Sequence, residues 1–389
     1  MAKTFTNDEK REIEEKAKYI LTAMDDIGKN GDAYCTDEQL FRASKTVRPS
    51  LTGQRYRTEK ALLLQAGFLH QEGYHLYAKR TWDYEVTAAE RLAGILNRVR
   101  RNCRVVLLGD TNQLQSVGAG NVLPDLLELG VPSIRLAQQY RQSADAVALR
   151  QNVVNFPKLN TEHELQWDDS FRLLPADDRA IPDLLCKEAV RRYLAGESIQ
   201  VLSPVKAKTS FSVQALNTRL QNEVNPLTAK KPTWGKFRDG DRVIVTQNNP
   251  YYDVCNGDVG VLHIRGEKPR RIAILAVRGK LKTWQIDRVP GEYGIRNDDP
   301  PPPQLALAYA LTVHKSQGSQ YDTILMPASM ATAKMLYRNL LYTAISRARK
   351  EVILVGSREA VNTAMQCIPY PRKSKLVART NLLRLRQSA

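Results

Sequence analysis

The sequence predicts an α/β protein with a parallel sheet, on three observations. From Cys103 onward, short apolar runs alternate with amphipathic helical segments, the pattern of βα units. One block, 231–303, departs from it: its strands are short, alternating and separated by Asp-Gly, Asn-Asn-Pro and Asn-Gly turns, as in a small inserted β-barrel. The first 100 residues read as mostly helical.

Taken in order, "NDEKREIEEKAKYILTAM" places Ile13, Ala17, Ile20 and Leu21 on one helical face. "TDEQLFRA" opens a helix with Thr36 as N-cap and acids in its first turn. "RTEKALLLQAGFLHQEGYHLYAKRTW" reads as a helix and a short hairpin, with Gly67 after the helix and Gly73 at the turn. That order suits a winged-helix unit, which could contact nucleic acid or only pack. "YEVTAAERLAGILNRVRR" is a further amphipathic helix. Val105–Leu108 is a buried strand, "AGNVLPDLLELG" a short helix, and "SIRLAQQYRQ" a second short strand and its exit. Helices follow at "DAVALRQNVVNF", "IPDLLCKEAVRRYLAGE" and "FSVQALNTRLQNEVN", with the strand "SIQVLSPVK" before the last. "NDDPPPPQ" closes the β-rich block; then "LALAYALTVHKSQG", "YDTILMP", "LLYTAISRAR" and "EVILVGS" resume the α/β pattern. The tail from Ile368 carries six Lys/Arg and no acid.

Lys plus Arg exceed Asp plus Glu by 58 to 41, a formal charge of +17 that favours polyanions and nucleic acid above all. No apolar run is long enough to span a membrane, and the first residues show no signal-peptide pattern. Cys35, Cys103, Cys186, Cys255 and Cys367 are scattered, odd in number and never spaced C-x-x-C. They read as reduced thiols of a cytoplasmic protein, with no metal site.

Four segments carry the chemistry. "LLGDTNQLQSVGAG" ends its strand at Asp110, with Gln113 on the loop beyond. "QQYRQ" places Arg141 after the next strand. "LTVHKSQGSQYD" sets His314, Lys315, Ser316 and Gln317 in a turn, where Gly318 allows close backbone approach. "LLYTAISRARK" offers Arg347 and Arg349 on a helix; Arg347 is the finger candidate and Arg349 a surface charge. Phosphoryl transfer needs positive charge around the γ-phosphate, and a polar Gln can sense whether that phosphate is present. Each segment alone is weak; their order across the chain is the signal.

On these segments the sequence resembles the RecD-like helicases of superfamily 1, from about Leu40 to Gly356. "GDTNQLQSVGAG" is similar to motif III, "QQYRQ" to motif IV, "ALTVHKSQGSQYD" to motif V and "LLYTAISRARK" to motif VI. The resemblance implies ATP-dependent 5′-to-3′ translocation on single-stranded DNA, with ATP and Mg²⁺ as cofactors. It implies nucleotide contacts by Asp110, Gln113, Arg141, Gly318 and Arg347, of which Gln113, Arg141 and Arg347 would act in catalysis. DNA contacts would come from Thr312, His314, Lys315, Ser316 and Gln317, and from Ser203 and Pro204 of "VLSPVKAKTSFSVQALNTRLQ". Tyr251 and Tyr252 are base-stacking candidates in the β-rich block, which resembles an SH3-like subdomain; they suit a core or rim place equally.

The implied organisation is an N-terminal helical or winged-helix region (1–100) and a remnant of a first RecA-like motor domain (101–147). A second, complete motor domain (148–230 and 304–367) follows, interrupted by the SH3-like insert (231–303) and trailed by a basic tail (368–389). The departure from the family is specific. Its phosphate loop, ending Gly-Lys-Thr/Ser, and its Asp-Glu strand belong between "AAERLAGILNR" and "VVLLGD". Only eight residues, "RVRRNCRV", separate Asn97 from Val106. The Gly-Lys pairs at Gly28, Gly235 and Gly279 are followed by Asn, Phe and Leu, and none has a Gly five residues before. Three readings follow: an internally deleted helicase that keeps DNA affinity, a non-enzymatic single-strand-binding protein, or half of a split enzyme completed by another polypeptide.

Overall fold

The computed structural model describes residues 5–29, 34–72, 75–78, 98–99, 103–115, 121–136, 138–156, 164–268, 270–287, 301–332, 335–367 and 377. The predicted helix over 84–101 apart from residues 98–99, the Gly73 turn and almost all of the basic tail lie outside them. The chain divides into two compact units, residues 1–111, 115–136 and 370–389 in one, 112–114 and 137–369 in the other.

In the first unit, the expected first helix is two: α1 (Asn7–Lys16) and α2 (Lys18–Lys29), broken at Ala17. Thr6 and Glu9 close a capping box on α1. Ile13, Ala17 and Ile20 are buried as their spacing implies, and Leu21 is packed only partly. Strand β1 (Cys35–Thr36) leads through Thr36, a capping-box N-cap as expected, into α3 (Asp37–Val47). Helix α4 (Gly53–Gln65) starts at the Thr52 cap, and Gly67 follows it at φ +79°. Strands β2 (Leu69–Glu72) and β3 (His75–Ala78) then form an antiparallel sheet with β1, in the order β1-β3-β2.

Two expected strands of this unit are corrected. Residues 103–110 form no strand; Val106 and Leu108 are 75% and 88% exposed rather than buried. Residues 131–136 likewise have no regular structure, with Ile134 and Leu136 exposed. An apolar run becomes a strand only when neighbours take up its backbone hydrogen bonds, and no described strand lies beside either. Between them α5 (Val122–Glu128) forms as expected.

The second unit is built on a five-stranded, all-parallel sheet in the order β13-β5-β14-β15-β4. Its strands are β4 (Phe171–Pro175), β5 (Ile199–Ser203), β13 (Ala310–Thr312), β14 (Tyr321–Ala328) and β15 (Ala348–Gly356). Helices cover both faces, which is why these strands read as unbroken apolar runs. Ile353 and Val355 face α7 (Ile181–Leu194) and α8 (Val213–Val224). Val352 and Leu354 face α6 (Val147–Asn155), α9 (Arg338–Ile345) and α10 (Arg358–Gln366). Gly356 is obligatory: at φ +145°, a Cβ would stand 1.9 Å from the Ala328 carbonyl oxygen on the neighbouring strand.

The turn-rich block forms the hairpin β6 (Thr233–Trp234) and β7 (Phe237–Arg238), then an antiparallel sheet. That sheet runs β11 (Lys280–Gln285), β10 (Ile272–Val277), β9 (Val259–Arg265), β8 (Asp241–Val245), β12 (Leu305–Leu307). It reaches past the expected end of the block at 303, because Leu305–Leu307 pairs with β8 and not with the parallel sheet. Its core includes Phe237, Val243, Leu262, Leu275 and Trp284. Asp241, fully buried where this block meets the parallel sheet, accepts from Gln221 Nε2 (2.6 Å), Asn225 Nδ2 (2.7 Å), Arg238 N (2.8 Å) and Tyr309 Oη (3.0 Å).

Candidate nucleotide-coupling and nucleic-acid site

Helix α9 organises the site. Its apolar face packs under the sheet, while Asn339, Thr343 and Ser346 follow one another at helical spacing along a polar stripe. The Asn112–Leu114 tripeptide is stitched to that stripe. Leu114 N donates to Thr343 Oγ1 at 2.8 Å, and Asn339 Nδ2 donates to the Gln113 carbonyl at 3.2 Å. The Leu114 side chain is buried in the core behind it.

This seats the Gln113 side chain on the finger candidate. Arg347 Nη2 donates to Gln113 Oε1 at 3.0 Å and to Ser346 Oγ at 3.2 Å, and Arg347 Nε to the Thr343 carbonyl at 3.1 Å. Arg347 is buried and stands in the turn after α9, not on the helix; Arg349 is an exposed residue of β15, 3.8 Å from Asp322. Helix α9 stops because its last carbonyls are capped by the Ser346 turn, and the chain then turns directly into the sheet.

The third segment joins from the other side. Arg141 Nη1 donates to the Ser346 carbonyl at 2.5 Å, Gln142 Nε2 to the Ala348 carbonyl at 3.0 Å, and Ser143 N to the Arg349 carbonyl at 2.7 Å. The fourth reaches in through Gln317 Nε2, which donates to the Leu114 carbonyl at 3.4 Å. Gln113, Arg141, Gln317 and Arg347 thus form one cluster of hydrogen-bonded segments. Asp110 is half-buried at the end of the irregular stretch and belongs to the other unit.

The remaining site residues lie along the C-terminal ends of β5 and β13, which pair with Thr312 opposite Ser203. In parallel sheets that edge is where ligands bind. Ser203 is buried; its hydroxyl donates to the Phe211 carbonyl at 2.9 Å, and Pro204 is buried beside it. Both shape the loop that carries the exposed Lys206 and Lys208. Lys208 holds φ +77° without being glycine, a sparsely populated conformation. Thr312 caps a single 3-10 turn, Val313–Ser316, by accepting from Lys315 N. Ser316 is buried and donates to the Val313 carbonyl at 2.8 Å; His314, Lys315 and Gln317 are exposed. Gly318 adopts φ +84° to leave the turn.

Desolvation by the surrounding protein lowers both the His314 imidazole and the Lys315 ammonium from their ordinary values, and the nearby Lys206 adds to the effect at Lys315. The lowered value keeps the His314 imidazole neutral near pH 7, whereas the neighbouring Lys206 and Lys315 ammoniums favour an anion beside them. In the β-rich block Tyr251 is exposed, whereas Tyr252 packs edge-on against the buried Trp284, with ring centroids 5.9 Å apart. Thr343, Asn339, Lys206 and Lys208 were not singled out from the sequence. The polar stripe of α9 was the signal available for the first two.

Two family models match the chain: "UvrD-like helicase C-terminal domain" over residues 307–355 and "AAA domain" over 85–170. The ATP-dependent RecD2 DNA helicase of Deinococcus radiodurans is 31% identical over 70% of this chain and 37% of that protein. The RecBCD enzyme subunit RecD of Mycolicibacterium smegmatis is 28% identical over 71% of this chain and 49% of that subunit. A crystal structure of Bacteroides Pif1 bound to ssDNA aligns with 64% of this chain and 56% of its own, at 18% identity and a TM-score of 0.35, a likeness too loose to carry an argument. The chain spans less than half the length of the two curated relatives named here.

The parallel sheet and the sequence matches define the class: an α/β protein homologous to the motor domains of superfamily 1 helicases. Within that superfamily the chain is a homologue of the RecD-like helicases. Among the described residues no helix is long and apolar enough to cross a membrane.

Proposed function

We propose that this chain is an internally deleted RecD-like DNA helicase of the cytoplasm, which binds single-stranded DNA and hydrolyses ATP poorly or not at all alone. One observation carries the reading: Gln113, a nucleotide sensor in the resemblance, is hydrogen-bonded to Arg347, its finger, inside the second unit. The sensor and finger are kept together, while the sequence carries no phosphate loop beside them.

The donor set does not fit Mg²⁺-ATP by itself. Two arginines and a glutamine supply charge and sensing, but a backbone cradle, its Lys and an acid pair at a strand end are also needed. Among the described residues no group of three His, Cys, Asp or Glu is placed to hold a metal. Arginine fingers accelerate hydrolysis only around a metal and phosphates already held in place. No hydrolytic step is therefore assigned.

DNA binding rests on the edge of β5 and β13, where His314, Lys315, Gln317, Lys206 and Lys208 are exposed beside the half-buried Thr312. The β-rich block, 231–303, is read as an SH3-like insert and residues 1–100 as a helical, winged-helix-like region. Residues 148–230 and 304–367 are the second motor domain, and 101–147 the remnant of the first. A second reading, half of a split enzyme, draws support from the exposed Val105–Leu108 and Ile134, which another polypeptide supplying the missing strands could pair and cover.

The test is ATP hydrolysis by the purified chain, with and without oligo-dT, beside Arg347→Ala. The expected result is salt-dependent DNA binding without DNA-stimulated turnover. Turnover abolished by Arg347→Ala would overturn the proposal and require a phosphate site elsewhere.

A further inference from the structure

The first unit segregates its charge. Between Arg42 and Lys60 stand six Lys or Arg and one acid, Glu59, whereas α1 carries five acids and three bases. The basic stretch is the end of α3, the five-residue connection Arg48–Thr52 and most of α4. The order α1-α2-β1-α3-α4-β2-β3, with β3 central in the sheet, is that of a helix-turn-helix, α3 and α4, followed by a hairpin.

Helix α4 is fixed by one face. Tyr56 and Leu63 are buried, as is Leu51 in the connection before it; Tyr56 lies 4.9 Å from the Phe41 ring, and Tyr56 Oη and Lys60 Nζ each donate to Asp37 Oδ1 at 2.7 Å. Burial works to raise the Asp37 carboxyl, but hydrogen bonds from Lys60 and Tyr56 outweigh it and hold the group below its ordinary value. The opposite face is exposed and continuous: Gln54, Arg57, Thr58, Ala61 and Gln65, at i, i+3, i+4, i+7 and i+11. Of the helix's cations, Arg55 pairs with Glu59 and Lys60 with Asp37; Arg57 makes no ion pair among the described residues.

We propose that this unit binds double-stranded DNA, with α4 entering the major groove. The residue types match what that groove presents. Arg57 has the fork that pairs with guanine O6 and N7, Gln54 the amide that pairs with adenine N6 and N7, and the methyls of Thr58 and Ala61 suit the thymine methyl. Exposed Lys45 and the polar turn Pro49-Ser50 lie before the helix, where helix-turn-helix units meet phosphates. A single strand would ask for stacking rings, and a protein groove for an apolar anchor. The exposed face of α4 offers neither.

The test uses the full chain and two fluorescent probes, a duplex of about 20 base pairs closed at both ends by non-nucleotide linkers, a length near two helical turns, and oligo-dT. Wild type binds the closed duplex. The double variant Gln54→Ala/Arg57→Ala is expected to lose roughly tenfold or more on the duplex and to keep its oligo-dT affinity within about twofold. Lys10→Ala/Arg11→Ala, on the acid-rich α1, leaves both affinities unchanged. Arg57→Lys keeps the charge and the fold but not the fork, and is expected to lose about threefold or more on the duplex. No binding of the closed duplex by wild type, no loss in either Arg57 variant, or a parallel loss on oligo-dT would overturn the proposal. The single-strand reading of the second unit is probed by oligo-dT alone, so the two proposals fail separately.

Discussion

At the scale of residues, buried polar groups hold the site together, and their removal is measurable. Asp241 is the acceptor for two amides, a backbone N–H and a tyrosine hydroxyl, all in the second unit. Asp241→Ala leaves those donors without their acceptor and is expected to cost about 3–5 kcal/mol. Urea unfolding followed by tryptophan fluorescence reads this, since Trp167, Trp234 and Trp284 lie in that unit. Gln113→Ala removes one charge-assisted hydrogen bond from a guanidinium with other partners, so about 1–2 kcal/mol is expected in the same assay. A loss as large as that of Asp241→Ala would mean that Gln113 is structural rather than a sensor.

At the scale of elements, helix α7 is tied to the sheet by ions. Arg192 contacts Glu188 and Glu197 in sequence and Glu351 on β15, at 2.7, 2.9 and 2.7 Å. Hydrogen bonds from Arg191, then Arg192, pull the Glu188 carboxyl down to about 2 despite partial burial. Its folded pKa is below the unfolded one, so its contribution to stability is full above about pH 4.5 and fades as pH falls towards 2. Wild type is therefore expected to outlast Glu188→Gln near neutral pH, the gap in melting temperature closing on acidification through that window. A gap that stays constant with pH would show that the charge is not what Glu188 contributes. Between β14 and β15 the limit is steric. Gly356→Ala is expected to cost about 3 kcal/mol, from a positive φ and a clash with the Ala328 carbonyl that neither strand can relieve.

At the scale of the whole molecule, the formal charge of +17 suits the proposed binding of nucleic acid. Single-strand affinity should fall log-linearly with salt, with a slope near −0.7 for each phosphate neutralised. Lys206→Ala/Lys315→Ala is expected to flatten that slope by about one unit or more, measured by oligo-dT titration over a series of salt concentrations. An unchanged slope would place the single strand away from the β5–β13 edge.

The sequence by itself determined the parallel sheet, its flanking helices and the separate β-rich block. Periodicity is local, and "TILMPA" or "EVILVG" can be buried on two faces only between helices. It also marked the residues that converge around α9, because their order along the chain matched a family. Three things only the tertiary structure decided. Strand β4 escaped notice because five residues ending in proline carry little period of their own, and β15 recruits them. Arg349 left the helix for a strand because Ser346 ends α9 one residue before Arg347. Val105–Leu108, apolar enough for a strand, is not one, since a strand exists only where another offers its hydrogen bonds. Propensity is a property of a segment, whereas pairing is a property of its neighbours.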